Sequence, residues 1–329
     1  MRDPVIRDSS ARHMEPLPRF VPRFPWVGGD LQTLRNRLRP PKLELAFWPG
    51  ESMAFAMSDG TGDQLIGQLH RPSGKPGETL PVRPLIILLH GLTGSMDSIY
   101  IQVSAAHLLR AGFPVLRLNL RGAGPSIGKT QAFYHAGRSA DLHEVIRRLD
   151  GRLAANGICL VGYSLGGNIV LKYMAERGSL APIMAAVSVS APIDLAATQR
   201  RLSAWRNRRY HDSLLVDMKR ERPCPDDIRS ILAFDNHVAP ANGFADAADY
   251  YRQSSAAPLL GSIRRPTLLI HAENDPWIPA DMYHEINWSQ HRRLRLLMPR
   301  SGGHVGFHGW GLDRPWHDVA TLRFIEAAL

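Results

Sequence analysis

The sequence is 329 residues long, 44% apolar and 21% charged, so it can bury a large core and is too apolar for a disordered chain. Its formal net charge of +10 comes mainly from arginines scattered along the chain with no nucleic-acid motif beside them, which argues against a nucleic-acid partner. Apolar runs stay far below the roughly 18 residues of a membrane span, and Cys159 and Cys224, the only cysteines, form neither a disulfide framework nor a zinc site.

In chain order, residues 1–41 are rich in Pro and Arg, show little periodicity and read as a surface arm. Residues 43–47 and 63–70 alternate as strands do, and Arg71–Pro84 reads as a loop. A regular alternation follows: strand Leu85–Leu89, helix Ile99–Ala111 stopped by Gly112, strand Phe113–Leu120, amphipathic helix Arg138–Leu153. It continues with strand Ile158–Tyr163, helix Leu165–Arg177 stopped by Gly178, and strand Ile183–Ser190. Residues 195–257 interrupt the pattern with a polar, Arg-rich, aromatic stretch that reads as an inserted cap. The alternation resumes with strand Thr267–Ala272, a helix near Ala280–Trp288, strand Leu294–Met298 and a final helix Trp316–Leu329. This order predicts one α/β domain over 1–329, with a mostly parallel sheet and helices on both faces.

Gly162-Tyr163-Ser164-Leu165-Gly166 is a G-x-S-x-G turn between a predicted strand and a predicted helix, the context a nucleophile elbow requires. The turn lifts the Ser164 hydroxyl clear of the sheet at the positive end of the helix, and aims the Leu165 N–H at a developing oxyanion. His90-Gly91-Leu92-Thr93-Gly94 follows the strand 85–89, which makes the Leu92 N–H the second expected donor. Asp275 and His304 each follow a later strand, giving the order Ser, Asp, His. A serine hydroxyl needs a neutral imidazole to take its proton, and that imidazole needs an acid to orient it.

Three rivals stand beside this reading. Asp194 also follows a strand and competes for the role of acid, whereas Glu273, two residues before Asp275, is expected to face away. His304 and His308 have a metal-ligand spacing, yet no third ligand is evident, so no metal or other cofactor is expected. Residues 123–130 match a relaxed phosphate-binding loop ending in Gly128-Lys129-Thr130, but Pro125 interrupts it and no helix pattern opens after it.

Taken together, several blocks of the sequence resemble the AB hydrolase 4 (YheT-like) family of α/β-hydrolases. They are Asp30-Leu-Gln-Thr-Leu34, His90–Tyr100, Arg117–Gly122, Tyr134–Gly137 with Asp141-Leu142, Gly162–Lys172, Phe244–Tyr251 and Gly302–Phe307. The matching triad positions are Ser164, Asp275 and His304. Gly28-Gly29-Asp30 replaces the family's usual Asn-Pro-His, and Ala123 stands where a cysteine is frequent. The resemblance implies carboxylester hydrolysis, sometimes of lipids.

The expected protein is thus a serine esterase forming an acyl-enzyme on a small-molecule ester with an apolar acyl group. An acyltransferase on the same triad, or a non-catalytic binding protein on this fold, is the alternative. No membrane span is expected, with room for peripheral contact with a membrane surface. The N-terminus lacks a secretion signal's apolar region, so a cytoplasmic location is the expectation.

Overall fold

The computed structural model describes residues 17–74 and 81–329. Helix α1 (Gly29–Leu38) is the first element of the described residues and is followed by strands β1 (Gly50–Ala56), β2 (Gln64–His70) and β3 (Leu85–Leu89). Next come α2 (Ile99–Arg110), β4 (Val115–Leu118), α3 (Ser139–Arg148), the single turn α4 (Gly151–Ala154), β5 (Ile158–Tyr163), α5 (Leu165–Glu176) and β6 (Ile183–Val189). Four helices stand between β6 and the next strand: α6 (Leu195–Ser203), α7 (Arg208–Glu221), α8 (Ile231–Val238) and α9 (Ala247–Ser254). The chain closes with β7 (Thr267–Ile270), the single turn α10 (Asp281–His284), β8 (Leu294–Leu297) and α11 (Trp316–Ala328).

The eight strands form one sheet in the order β1-β2-β4-β3-β5-β6-β7-β8. Strand β2 runs antiparallel to both its neighbours, and all pairs from β4 to β8 are parallel. Parallel strands need both faces covered, and the side-chain alternation shows it. Leu85, Ile87 and Leu89 of β3 join one apolar cluster with Leu142 and Val145 of α3 and Ile169 of α5. Ile86 and Leu88 point the other way, into a second cluster with Ile101 and Leu108 of α2 and Phe324 and Ile325 of α11. Cys159 lies fully buried in that second cluster.

The structure departs from the sequence reading at several elements. The arm contains α1, which an apolar pattern does not reveal because its one fully buried residue is Gln32. Residues 45–47 form a single 3₁₀ turn, and the first strand lies further on at Gly50–Ala56. That strand is an edge with only Phe55 buried, so it lacks the alternation of a packed strand. The helix expected over 138–153 breaks at Leu149, whose extended backbone hands over to Asp150, which caps α4 by accepting the Arg152 N–H. The helix expected near 280–288 is only the turn α10 followed by a 3₁₀ turn at Trp288–Gln290.

Helices α6 to α8 carry their own small core of Leu202, Leu214, Leu215, Met218, Ile228, Ile231 and Phe234, while Ala247 and Tyr251 of α9 join the first cluster beside the sheet. Leu92 and Trp277 pack against that core, so the inserted segment rests on the loops at the C-terminal ends of β3 and β7. No helix of the described residues is long and apolar enough to cross a membrane.

Candidate active site

Ser164 occupies the turn between β5 and α5 with φ 52° and ψ −122°, a left-handed backbone that a non-glycine residue adopts only when its surroundings enforce it. The enforcement is visible. The Ser164 N–H donates to the Val189 carbonyl at 2.8 Å, and the helix folds back so tightly that neither flanking glycine has room for a side chain. A Cβ on Gly162 would stand 2.3 Å from the Gly166 oxygen, and one on Gly166 would stand 2.4 Å from the His90 oxygen. The motif's glycines are therefore a packing requirement of the turn.

His304 Nε2 lies 3.0 Å from Ser164 Oγ, and His304 Nδ1 lies 2.8 Å from Asp275 Oδ2. Asp275 is fixed in turn by the backbone N–H groups of Trp277 and Ile278, which donate to its Oδ1 at 2.8 and 3.0 Å. Burial pushes the Asp275 carboxyl up, but the charge and hydrogen bond of His304 together with His271 and the Ile278 N–H outweigh it and hold the group below the usual range. Asp275 therefore stays ionised against the imidazole. The Trp277 ring stacks on His304 with centroids 4.4 Å apart and covers one face of it.

The rivals are placed elsewhere. Asp194 is the N-cap of α6 and accepts the Ala197 N–H at 2.9 Å. Both ring nitrogens of His304 are occupied by Ser164 and Asp275, so the pair His304/His308 does not share a ligand position. Residues 124–126 form a 3₁₀ turn, Lys129 is exposed, and the next helix starts only at Ser139, so that loop has no helix N-terminus on which to seat a phosphate.

The Leu165 N–H begins α5, where no intrahelical acceptor exists. The loop carrying Leu92 runs directly beside the serine, since a Cβ on Gly91 would stand 2.9 Å from Ser164 Cβ. His90 braces this loop: its Nε2 accepts the Leu120 N–H at 3.0 Å, which leaves Nδ1 as the donor to the Gly91 carbonyl at 2.8 Å. Burial lowers the His90 pKa to about 4, so the ring remains neutral and keeps that arrangement. Leu92 and Leu165 then line one cleft, with Phe133, Met218, Phe234 and Phe244 as apolar walls. Glu221 and Asp235 are its carboxyl groups, pushed up by burial to about 6 and about 7 respectively.

Several positioning residues escape a reading of the sequence for function. Gln32 is wholly buried, donates to the Trp26 and His308 carbonyls at 2.6 and 3.1 Å, and accepts the His308 N–H at 2.7 Å. Thr33 Oγ1 accepts the His304 N–H at 2.8 Å. Helix α1 thus grips the loop that carries His304 from both ends, which gives a physical role to the L-Q-T-L element. Gly29 lets the helix come this close, because a Cβ there would stand 2.0 Å from the Asn274 carbonyl.

Comparison with known proteins fits this geometry. A family model described as the alpha/beta hydrolase fold matches residues 84–220. Among solved structures, esterase Pf2001 of Pyrococcus furiosus superposes with a TM-score of 0.61, covering 95% of this chain and 98% of that one at 17% identity, a likeness of fold. Monoacylglycerol lipase of Saccharomyces cerevisiae is 28% identical over 74% of this chain, which spans 59% of the yeast protein's length. YheT of Escherichia coli, named as a candidate esterase, is 32% identical over 71% of this chain and 73% of its own. Fold and relatives define the class: an α/β-hydrolase of the carboxylic ester hydrolases. Within that class the chain belongs to the AB hydrolase 4 family, which includes YheT.

Proposed function

We propose that the protein cleaves small-molecule carboxylic esters through an acyl-enzyme on Ser164, with His304 as base and then acid. The observation that carries this reading is the continuous hydrogen-bonded line Asp275–His304–Ser164 beside the cleft lined by Leu92 and Leu165. His304 Nε2 takes the Ser164 proton as Oγ attacks the ester carbonyl, and Asp275 holds the ring and stabilises its charged form. The carbonyl oxygen gains negative charge and is received by the Leu92 and Leu165 N–H groups. Collapse of the tetrahedral species expels the alcohol, which takes its proton from His304, and water then releases the acid by the same steps in reverse. The apolar walls favour an apolar acyl group, in keeping with the name of the yeast relative, a lipase.

The test is covalent labelling by a fluorophosphonate probe together with hydrolysis of a p-nitrophenyl ester. Both are expected in the wild-type protein and both are lost in Ser164→Ala. Labelling that survives that substitution would falsify the assignment of the nucleophile.

A further inference from the structure

The Leu92 N–H is aimed by what holds the peptides on either side of it, and both are held by tyrosine hydroxyls. The Gly91 N–H donates to Tyr100 Oη at 2.9 Å, and the Thr93 N–H donates to Tyr134 Oη at 2.7 Å. Thr93 has φ 54°, a left-handed conformation that a β-branched residue keeps only under external constraint. The two tyrosines differ in origin. Tyr100 belongs to α2 beneath the sheet, whereas the hydroxyl of Tyr134 donates its proton to Glu221 Oε2 at 2.5 Å. Glu221 is the last residue of α7, in the inserted segment, 87 residues along the chain from Tyr134. Both line the same cleft as Leu92 and Leu165.

We infer that Tyr134 and Glu221 are positioning residues that make the oxyanion loop depend on the seating of the inserted segment. The inference rests on the acyl-enzyme reading above. A phenol has one proton and two acceptor sites. With its proton committed to Glu221, the Tyr134 oxygen turns a lone pair toward the Thr93 N–H, and the carboxylate polarises the bond so that it accepts more strongly. The chain Glu221–Tyr134–Thr93 therefore fixes the peptide following Leu92 only while α7 lies over the cleft. Removal of Glu221 frees the hydroxyl to rotate. Removal of the hydroxyl leaves the Thr93 N–H without its acceptor, so that left-handed Thr93 keeps only the longer turn bond from the Gly94 N–H to the Gly91 carbonyl at 3.2 Å. Either way the Leu92 N–H loses its aim at the point where charge develops in the transition state, while the apolar walls that bind the ground state remain.

The distinguishing measurement is the separation of kcat from KM on a p-nitrophenyl ester, with the melting temperature as a check on folding. Tyr134→Phe is expected to lower kcat by about tenfold or more, less than outright loss of an oxyanion donor, with KM changed by no more than about twofold. Glu221→Ala is expected to lose a similar amount, and Glu221→Gln to regain part of it because its amide oxygen still accepts the phenol proton. If Tyr134→Phe folds poorly, the Glu221 pair decides, since it leaves the tyrosine ring in place. An unchanged kcat in Tyr134→Phe or in Glu221→Ala, or a raised KM with kcat intact, overturns the inference. Fluorophosphonate labelling of Ser164 in the wild-type protein separates the two levels. A labelled, active wild type with insensitive variants sinks only the inference, and an unlabelled wild type sinks the acyl-enzyme reading and the inference with it.

Discussion

Asp275 and Asp194 illustrate how geometry chooses between residues of the same chemistry. Both follow a strand at the C-terminal edge of the sheet, the edge where this fold gathers its functional loops. Asp194 has spent its carboxylate on the first turn of α6, where it satisfies a helix-end N–H. Asp275 instead divides its oxygens, Oδ1 facing two backbone donors and Oδ2 facing His304. An amide at position 275 can still accept at one atom, but its NH₂ group cannot accept the imidazole proton, so the ring loses its tautomer and orientation. Asp275→Asn is therefore expected to lower kcat by on the order of 10⁴ with the fold retained. Asparagine is as good a helix cap as aspartate, so Asp194→Asn is expected to leave kcat within about twofold. Steady-state kinetics on the two variants decide the matter, and the opposite ranking would move the acid to β6.

At the scale of elements, the site is gathered by a helix that contributes nothing to the chemistry. Helix α1 sets Gln32 and Thr33 against the loop of His304, and the glycines opposite make the contact close. A Cβ on Gly303 would stand 2.4 Å from the Gly29 carbonyl, and one on Gly306 would stand 2.5 Å from that of Gln32. Gln32→Ala strands the buried His308 N–H, an unmet group costing about 1–3 kcal/mol where water cannot reach it, and takes one donor from the Trp26 carbonyl and from the His308 carbonyl, which keeps the Arg23 N–H. A melting temperature lowered by several degrees, together with a kcat reduced more than the KM is raised, is the expected result. Thermal melts and kinetics on the same preparation test it, and a stable variant with full activity would show that the His304 loop holds itself.

This helix also shows what a sequence discloses and what it conceals. Strands β3 and β5 are legible because five- and six-residue runs, Leu85–Leu89 and Ile158–Tyr163, have no other way to bury themselves. The candidate site residues inherit that legibility, as Ser164, Asp275 and His304 each follow such a run at short range. Helix α1 turns a polar face inward, where Gln32 and Thr33 meet backbone groups, so hydrophobic periodicity misses it. The bond between Tyr134 and Glu221 joins two places far apart in the chain with no local pattern at either end. Such contacts are set by tertiary packing and leave no trace in a window of neighbouring residues.

For the whole molecule, the inserted segment and the sheet edge together define what kind of ester fits. The aromatic residues of 195–257 do not share one task. Trp205 is 87% exposed, Tyr210 reaches Asp30 of α1 and packs on Trp277, and Tyr251 donates to the buried Asp235. Phe234, Phe244 and Tyr250 remain as walls of the cleft, while Phe307 is buried in the core against Trp316. The surplus of arginine stays largely outside this wall, where only Arg222 appears. Phe133, Met218, Phe234 and Phe244 make much of this wall apolar, which favours a hydrocarbon acyl group. Each methylene taken out of water there contributes up to about 0.8 kcal/mol. Lengthening the acyl chain by four carbons is therefore expected to raise kcat/KM by up to roughly two orders of magnitude, levelling off once the cleft is full. A series of p-nitrophenyl esters from acetate to decanoate measures this directly. Acetate turned over as efficiently as hexanoate or octanoate would mean that the acyl group lies outside the cleft between the sheet edge and the inserted helices.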